Sequence, residues 1–215
     1  MPSANFRLLL VTDRHQIHGR SLVTVLTQAI MAGVPAIQLR ERDLPTGELL
    51  PLAQEIHSLT APRAVPLILN DRVDLVLALN LDGVHLRANS LPVSVVRRLI
   101  GPNRLIGIST HSVEDVQRAN HDGADYVIFG PIFDTPSKRS FGAPLGLDML
   151  ADVCRNSMVP IFAIGGITSE RVRDVRRAGA HGVAVIGALL TSADISGAVG
   201  EFNTAMQACD VIGPR

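Results

Sequence analysis

Eight short apolar runs alternate with longer amphipathic segments along the chain, and no other feature limits its fold so strongly. The runs are FRLLLVT from Phe6, AIQLR from Ala36, VPLILN from Val65, DGVHL from Asp82, LIGIST from Leu105, DYVIFG from Asp125, VPIFAIGG from Val159 and HGVAVIG from His181. Between them lie helical patterns such as SLVTVLTQAIMAG, SVEDVQRANHDGA and SERVRDVRRAGA, closed by Gly33, Gly123 and Gly179 before the next strand begins. Strand and helix in strict alternation imply a parallel sheet with right-handed crossovers, and eight units close into a barrel. The expected architecture is a single (β/α)8 TIM barrel over residues 1–215, with no linker or low-complexity stretch to divide it.

Composition agrees with that plan. Hydrophobic residues make up 47% of the chain, yet there is no Trp, one Tyr and six Phe, so the interior must be mainly Leu, Ile, Val and Ala. Strands buried on both faces use such residues. The formal net charge is zero and the signs are interspersed, which offers no footprint for nucleic acid or an anionic membrane. The two cysteines, Cys154 and Cys209, lack metal-ligand spacing and read as space-filling thiols of a reduced protein. The apolar run in MPSANFRLLLVTDR is too short for a signal segment or a membrane span, so the expected location is the cytoplasm.

In such a barrel the site lies at the C-terminal ends of the strands. Those ends carry Thr12-Asp13-Arg14, Gln38 to Arg42, Asn70-Asp71-Arg72, His85-Leu86-Arg87, Ser109-Thr110-His111, Gly130-Pro131, Gly165-Gly166 and Ile186-Gly187. Alternation along the second strand sends Ile37 and Leu39 toward the helices and Gln38, Arg40 and, past the strand end, Arg42 toward the mouth. Inward guanidiniums call for an anionic partner, and a phosphorylated small molecule is the most economical one. Gly165 and Gly166 after the seventh strand, and Ile186 and Gly187 after the eighth, stand where backbone N–H groups of such barrels commonly cup a phosphate.

Other groups leave alternatives open. Residues 129–146, FGPIFDTPSKRSFGAPLG, form a long polar connection of the kind that binds or covers a ligand. Within it Lys138, beside Thr135, either reaches a diphosphate or is solvated. Asp71 is either a magnesium ligand or a first-turn helix residue favoured by the dipole. His85 reads as a hydrogen-bonded core histidine, His111 at the mouth as a general acid–base or a bystander, and Ser109 as a hydrogen-bond donor without an adjacent base.

Taken together, VTDR, IQLRERDL, VPLILNDRVDLVLAL, DGVHL, IGISTHS, GADYVIFGPIFDTPSK, AIGGIT and AGAHGVAV resemble the thiamine phosphate synthase and TenI-like thiazole tautomerase superfamily, in its order and over nearly the whole chain. The resemblance implies a barrel, commonly a dimer or higher homo-oligomer, that couples hydroxymethylpyrimidine diphosphate to hydroxyethylthiazole phosphate. Magnesium and cationic groups draw off diphosphate, and the thiazole nitrogen captures the carbocation left behind. It implies that Gln38, Arg40 and Arg42 bind diphosphate, that Asn70 touches the pyrimidine diphosphate and that Asp71 holds magnesium. Ser109 and Thr135 bind substrate, Arg40 and Lys138 serve the chemistry, and Gly166, Ile186 and Gly187 cup a phosphate.

The sequence departs from the synthase pattern after the fourth strand. Synthases follow it with HLGQxD, whose Asp is a second magnesium ligand, whereas this chain has HLRANS, with Arg87 and Ser90 at the first and last changed places. A tautomerase, which lacks the full metal site and moves a proton with a histidine at the place of His111, is the alternative. A non-catalytic sensor of thiamine intermediates is a further one. An unrelated phosphate-binding barrel isomerase leaves QLRERD and GPIFDTPSK together unexplained.

Overall fold

All eight apolar runs are strands in the computed structural model, which describes residues 4–135, 139 and 142–210. They are β1 (Leu8–Val11), β2 (Ile37–Leu39), β3 (Leu67–Asn70), β4 (Gly83–Leu86), β5 (Leu105–Thr110), β6 (Tyr126–Phe129), β7 (Ile161–Ile164) and β8 (Gly182–Val185). Every neighbouring pair is parallel and the order is sequential, β8 pairing back to β1 in a closed barrel. Outside lie α1 (Leu22–Met31), α2 (Thr46–Thr60), α3 (Val73–Ala78), α4 (Val93–Ile100), α5 (Val113–Asp122), α6 (Gly146–Asn156) and α7 (Val172–Arg177). After β8 come a short α8 (Gly187–Leu190) and a long α9 (Ile195–Asp210) that packs on α1 and α7.

Local chemistry accounts for the boundaries. In α1 the buried residues are Leu22, Val25, Leu26, Ala29 and Ile30, one apolar stripe at helical spacing. Helix α5 starts at Ser112, whose hydroxyl accepts from the Asp115 N–H at 3.1 Å, and carries Glu114 and Asp115 in its first turn. It stops at Gly123, whose left-handed φ of 83° a residue with a Cβ adopts only under strain.

Alternation divides the apolar residues into two cores. Ile37, Leu39, Leu67, Leu69 and their counterparts face the helices, whereas Leu9, Val11, Ile68, Ile128 and Ala184 fill the barrel. Three of the seven aromatic residues form its floor. Phe6, Tyr126 and Phe162 pack there with ring centroids 5.1 to 6.0 Å apart. Gly107 on β5, registered against Tyr126 on β6, makes this possible, because a Cβ there would lie 2.0 Å from the tyrosine ring. Among the described residues no helix is long and apolar enough to cross a membrane.

Candidate active site

Above this aromatic floor, the C-terminal ends of the strands surround a cavity of about 730 Å³, within the size range of small-molecule sites. Gln38, Arg40 and Arg42 line it, as alternation along β2 requires. The intervening Glu41 turns the other way and is buried: it accepts from the Thr12 hydroxyl at 2.6 Å and the Arg14 backbone N–H at 3.1 Å. The Thr12 hydroxyl oxygen in turn accepts from the Arg40 N–H at 2.8 Å. Asp43 holds the Arg14 guanidinium in a two-pronged pair at 2.5 and 2.7 Å. Two of the four consecutive charges after β2 thus clamp β2 to β1, and the other two face the cavity.

Arg40 is half-buried, and its guanidinium has no hydrogen-bond or ion-pair partner among the described residues. Burial, followed by repulsion from Arg42, depresses it below the ordinary arginine value, and Arg87 adds to that repulsion. Arg40 therefore feels two further guanidiniums on this side of the mouth, of which, among the described residues, only Arg87 has a carboxylate partner, Asp71.

The floor beneath them is polar and oriented. Gln38 is 2% exposed; its Nε2 donates to Asn70 Oδ1 at 3.2 Å, and its Oε1 is buried without a partner. The orientation follows from the carboxylate next door: Asn70 turns Nδ2 toward Asp71 Oδ2, 3.5 Å away, which leaves Oδ1 for Gln38. In this orientation Gln38 presents an acceptor, which suits an N–H donor on a ligand.

His85 is buried at the base of the cavity wall, a hydrogen-bonded core histidine as its apolar neighbours indicated. Its Nδ1 lies 3.1 Å from the Tyr126 hydroxyl and its Nε2 2.9 Å from the Ser109 hydroxyl. Desolvation pushes the imidazole pKa down to about 3, so the ring is neutral and carries one proton. Burial raises the Tyr126 phenol, which therefore keeps its proton and is assigned as the donor to Nδ1. The His85 proton is then on Nε2 and goes to Ser109 Oγ, leaving the serine's own hydrogen free to point into the cavity. In that arrangement Ser109 offers a donor to the cavity, supported from behind by two buried groups. Sequence reasoning missed this support; its signal was the lone Tyr set opposite a strand glycine.

The opposite wall is made of backbone. Gly165 and Gly166 follow β7 with φ of 99° and 63°, and a Cβ on Gly166 would meet the Asp134 carbonyl oxygen at 2.6 Å. Ile186 and Gly187 open α8, whose first N–H groups have no acceptor within the helix. Both pairs line the cavity, as does Thr135. His111 also lines it: Nδ1 donates to the Gly130 carbonyl at 2.6 Å, and Nε2 has no hydrogen-bond partner among the described residues. Lys138 lies outside the described residues. Burial pushes the Cys154 thiol up to about 11, which leaves it unreactive at neutral pH.

Asp71 departs from the helix-capping alternative. It lies before α3 with φ of 60°, outside the first turn, and reaches across to the loop after β4. Its Oδ1 accepts from the Arg87 backbone N–H at 3.1 Å and from the Ser90 hydroxyl, and its Oδ2 accepts from Arg87 Nε. Among the described residues no three His, Cys, Asp or Glu side chains gather where they could hold a metal. A dication at Asp71 would replace these bonds, face the Arg87 guanidinium and find a hydroxyl where a second carboxylate is needed. The residues present do not fit magnesium in this arrangement.

The closed barrel and this mouth define a (β/α)8-barrel enzyme with a net positive active-site cavity. The sequence profile of the thiamine monophosphate synthase family matches residues 8–189. The chain is 44% identical over 194 residues to a putative thiamine-phosphate synthase of Geobacter sulfurreducens, covering 90% of this chain and 91% of that one. It is 42% identical over 214 residues to the thiamine-phosphate synthase of Roseiflexus castenholzii, covering 100% and 91% respectively. A thiamine phosphate pyrophosphorylase structure from Pyrococcus furiosus superposes with a TM-score of 0.86 at 31% identity, covering 95% of this chain and 96% of that one. The chain belongs to the thiamine monophosphate synthase family.

Proposed function

We propose that this enzyme is a thiamine-phosphate synthase, joining hydroxymethylpyrimidine diphosphate to hydroxyethylthiazole phosphate with release of diphosphate. The observation that carries the reading is the guanidinium of Arg40, without a partner among the described residues and flanked by Arg42 and Arg87 on one side of the cavity. In the reaction the bond from the pyrimidine methylene carbon to the diphosphate oxygen breaks, and its electron pair leaves with the oxygen. The guanidiniums stabilise the charge that accumulates there, more strongly in the transition state than in the bound substrate. The thiazole nitrogen then donates its lone pair to the methylene carbon and becomes positively charged, so this step needs no proton transfer. That suits a mouth in which no activated nucleophile stands among the described residues. Ser109 donates to a phosphate oxygen, the Gly166 and Gly187 wall receives the thiazole phosphate, and the unpartnered Gln38 oxygen accepts from the pyrimidine amino group.

The test is direct product detection. Purified protein given both substrates should yield thiamine phosphate and diphosphate by mass spectrometry, and absence of product would reject the reading. His111, anchored through Nδ1 at the cavity wall, favours a second reading, isomerisation of thiazole carboxylate phosphate by proton transfer. Replacing His111 with Ala separates the two: isomerisation should stop under the second, whereas coupling should persist under the first.

A further inference from the structure

We propose that Arg87 is a built-in cation that receives the diphosphate group where a divalent metal would otherwise sit, so that this enzyme binds diphosphate without magnesium. The inference rests on the diphosphate-releasing reading of the cavity. Three features of the loop after β4 support it.

Arg87 is pinned along one edge only. Nε donates to Asp71 Oδ2, and the backbone N–H donates to Oδ1 of the same carboxylate, whereas Nη1 and Nη2 have no partner among the described hydrogen bonds. The side chain is 49% exposed and lines both the main cavity and an adjoining pocket of about 160 Å³ that also contains Asp71 and Arg42. A guanidinium held at Nε keeps its terminal N–H groups available, in the fork geometry that suits two phosphate oxygens.

Ser90 completes the arrangement. Its hydroxyl donates to Asp71 Oδ1 and accepts from the Arg87 N–H at 3.1 Å. Carboxylate, guanidinium and hydroxyl form a closed set. The charges also balance: a dication between two carboxylates is neutral, and so is one guanidinium against one carboxylate and a hydroxyl. The loop can therefore aim the guanidinium's terminal N–H donors into the cavity without a metal and without burying a bare carboxylate.

Orientation gives the set its purpose. Arg87 adds to the repulsion that lowers the Arg40 value, which places its charge in the same field. A diphosphate lying between them relieves that repulsion on both sides.

Three measurements test the proposal, and two do not depend on turnover. In calorimetry with inorganic diphosphate in EDTA, the wild-type protein should bind, and Arg87→Gln should weaken binding about tenfold or more. Arg87→Lys, which keeps the charge, should recover part of it. In electron paramagnetic resonance with Mn2+ alone, the wild type should leave the ion free, whereas Arg87→Gly combined with Ser90→Asp should capture it. In coupling assays, wild-type turnover in EDTA should equal that in magnesium, and the double variant should become metal-dependent. Loss of diphosphate binding in EDTA, Mn2+ capture by the wild type that Asp71→Asn removes, or turnover that requires magnesium would each overturn the proposal. Metal-free, Arg87-dependent diphosphate binding with no thiamine phosphate formed would retain the cation assignment and reject the synthase reading.

Discussion

Replacing Tyr126 with Phe removes a single oxygen from the barrel floor and leaves the ring against Phe6, Phe162 and Gly107. Packing is preserved, so any effect reports on the hydrogen bond to His85. Loss of that donor leaves Nδ1 of a fully buried imidazole without a partner, which costs about 1–3 kcal/mol. In a domain of this size that corresponds to a fall of roughly 2–12 °C in Tm. A second effect follows at the cavity. Without the tyrosine the histidine is no longer held to one tautomer, and Ser109 can turn its hydrogen back to Nε2 instead of offering it to a ligand. Affinity for a phosphate-bearing substrate should fall about 2- to 10-fold, the net value of one hydrogen bond. Urea unfolding, calorimetry and the 15N shifts of His85 measure the three consequences separately. A variant within about 0.5 kcal/mol of wild type, with unchanged imidazole shifts, would refute the tautomer assignment.

Two further predictions concern the same framework. Because His85 is held near 3 in the folded state and titrates near 6.5 when exposed, the unfolded chain binds the extra proton between those values. Its contribution to stability is complete above pH 6.5 and is lost as pH falls toward 3, with a slope of about 1.4 kcal/mol per pH unit from this one group; denaturation of wild type and His85→Phe across that window should differ by up to one proton. Glu41→Ala should destabilise by about 1–3 kcal/mol, since it strands the buried Thr12 hydroxyl and frees the segment carrying Arg40; an unchanged midpoint in urea would remove Glu41 from the clamp.

The barrel was legible because its signals are local. Period-two alternation put Ile37 and Leu39 outside and Gln38 and Arg40 inside, and a helix closed by Gly123 needs only its own neighbours to be recognised. The cavity wall after β7 and β8 was legible for the same reason. What escaped depends on register between strands distant in sequence. Glu41 meets Thr12 only because Gln38 registers with Val11, and His85 gains its two partners from β5 and β6. Asp71 was ambiguous because a carboxylate just before an apolar helix looks like a capping group. Its positive φ, which sends it to Arg87 and Ser90 instead, leaves no trace in the local pattern.

The measurement that tests the account most directly is single-turnover formation of thiamine phosphate by the wild type and by Arg40→Met. If Arg40 stabilises the departing diphosphate, the variant should remain folded and form product about 100-fold more slowly or worse. Equal rates in the two proteins would contradict the assignment of the cavity's cations to the leaving group.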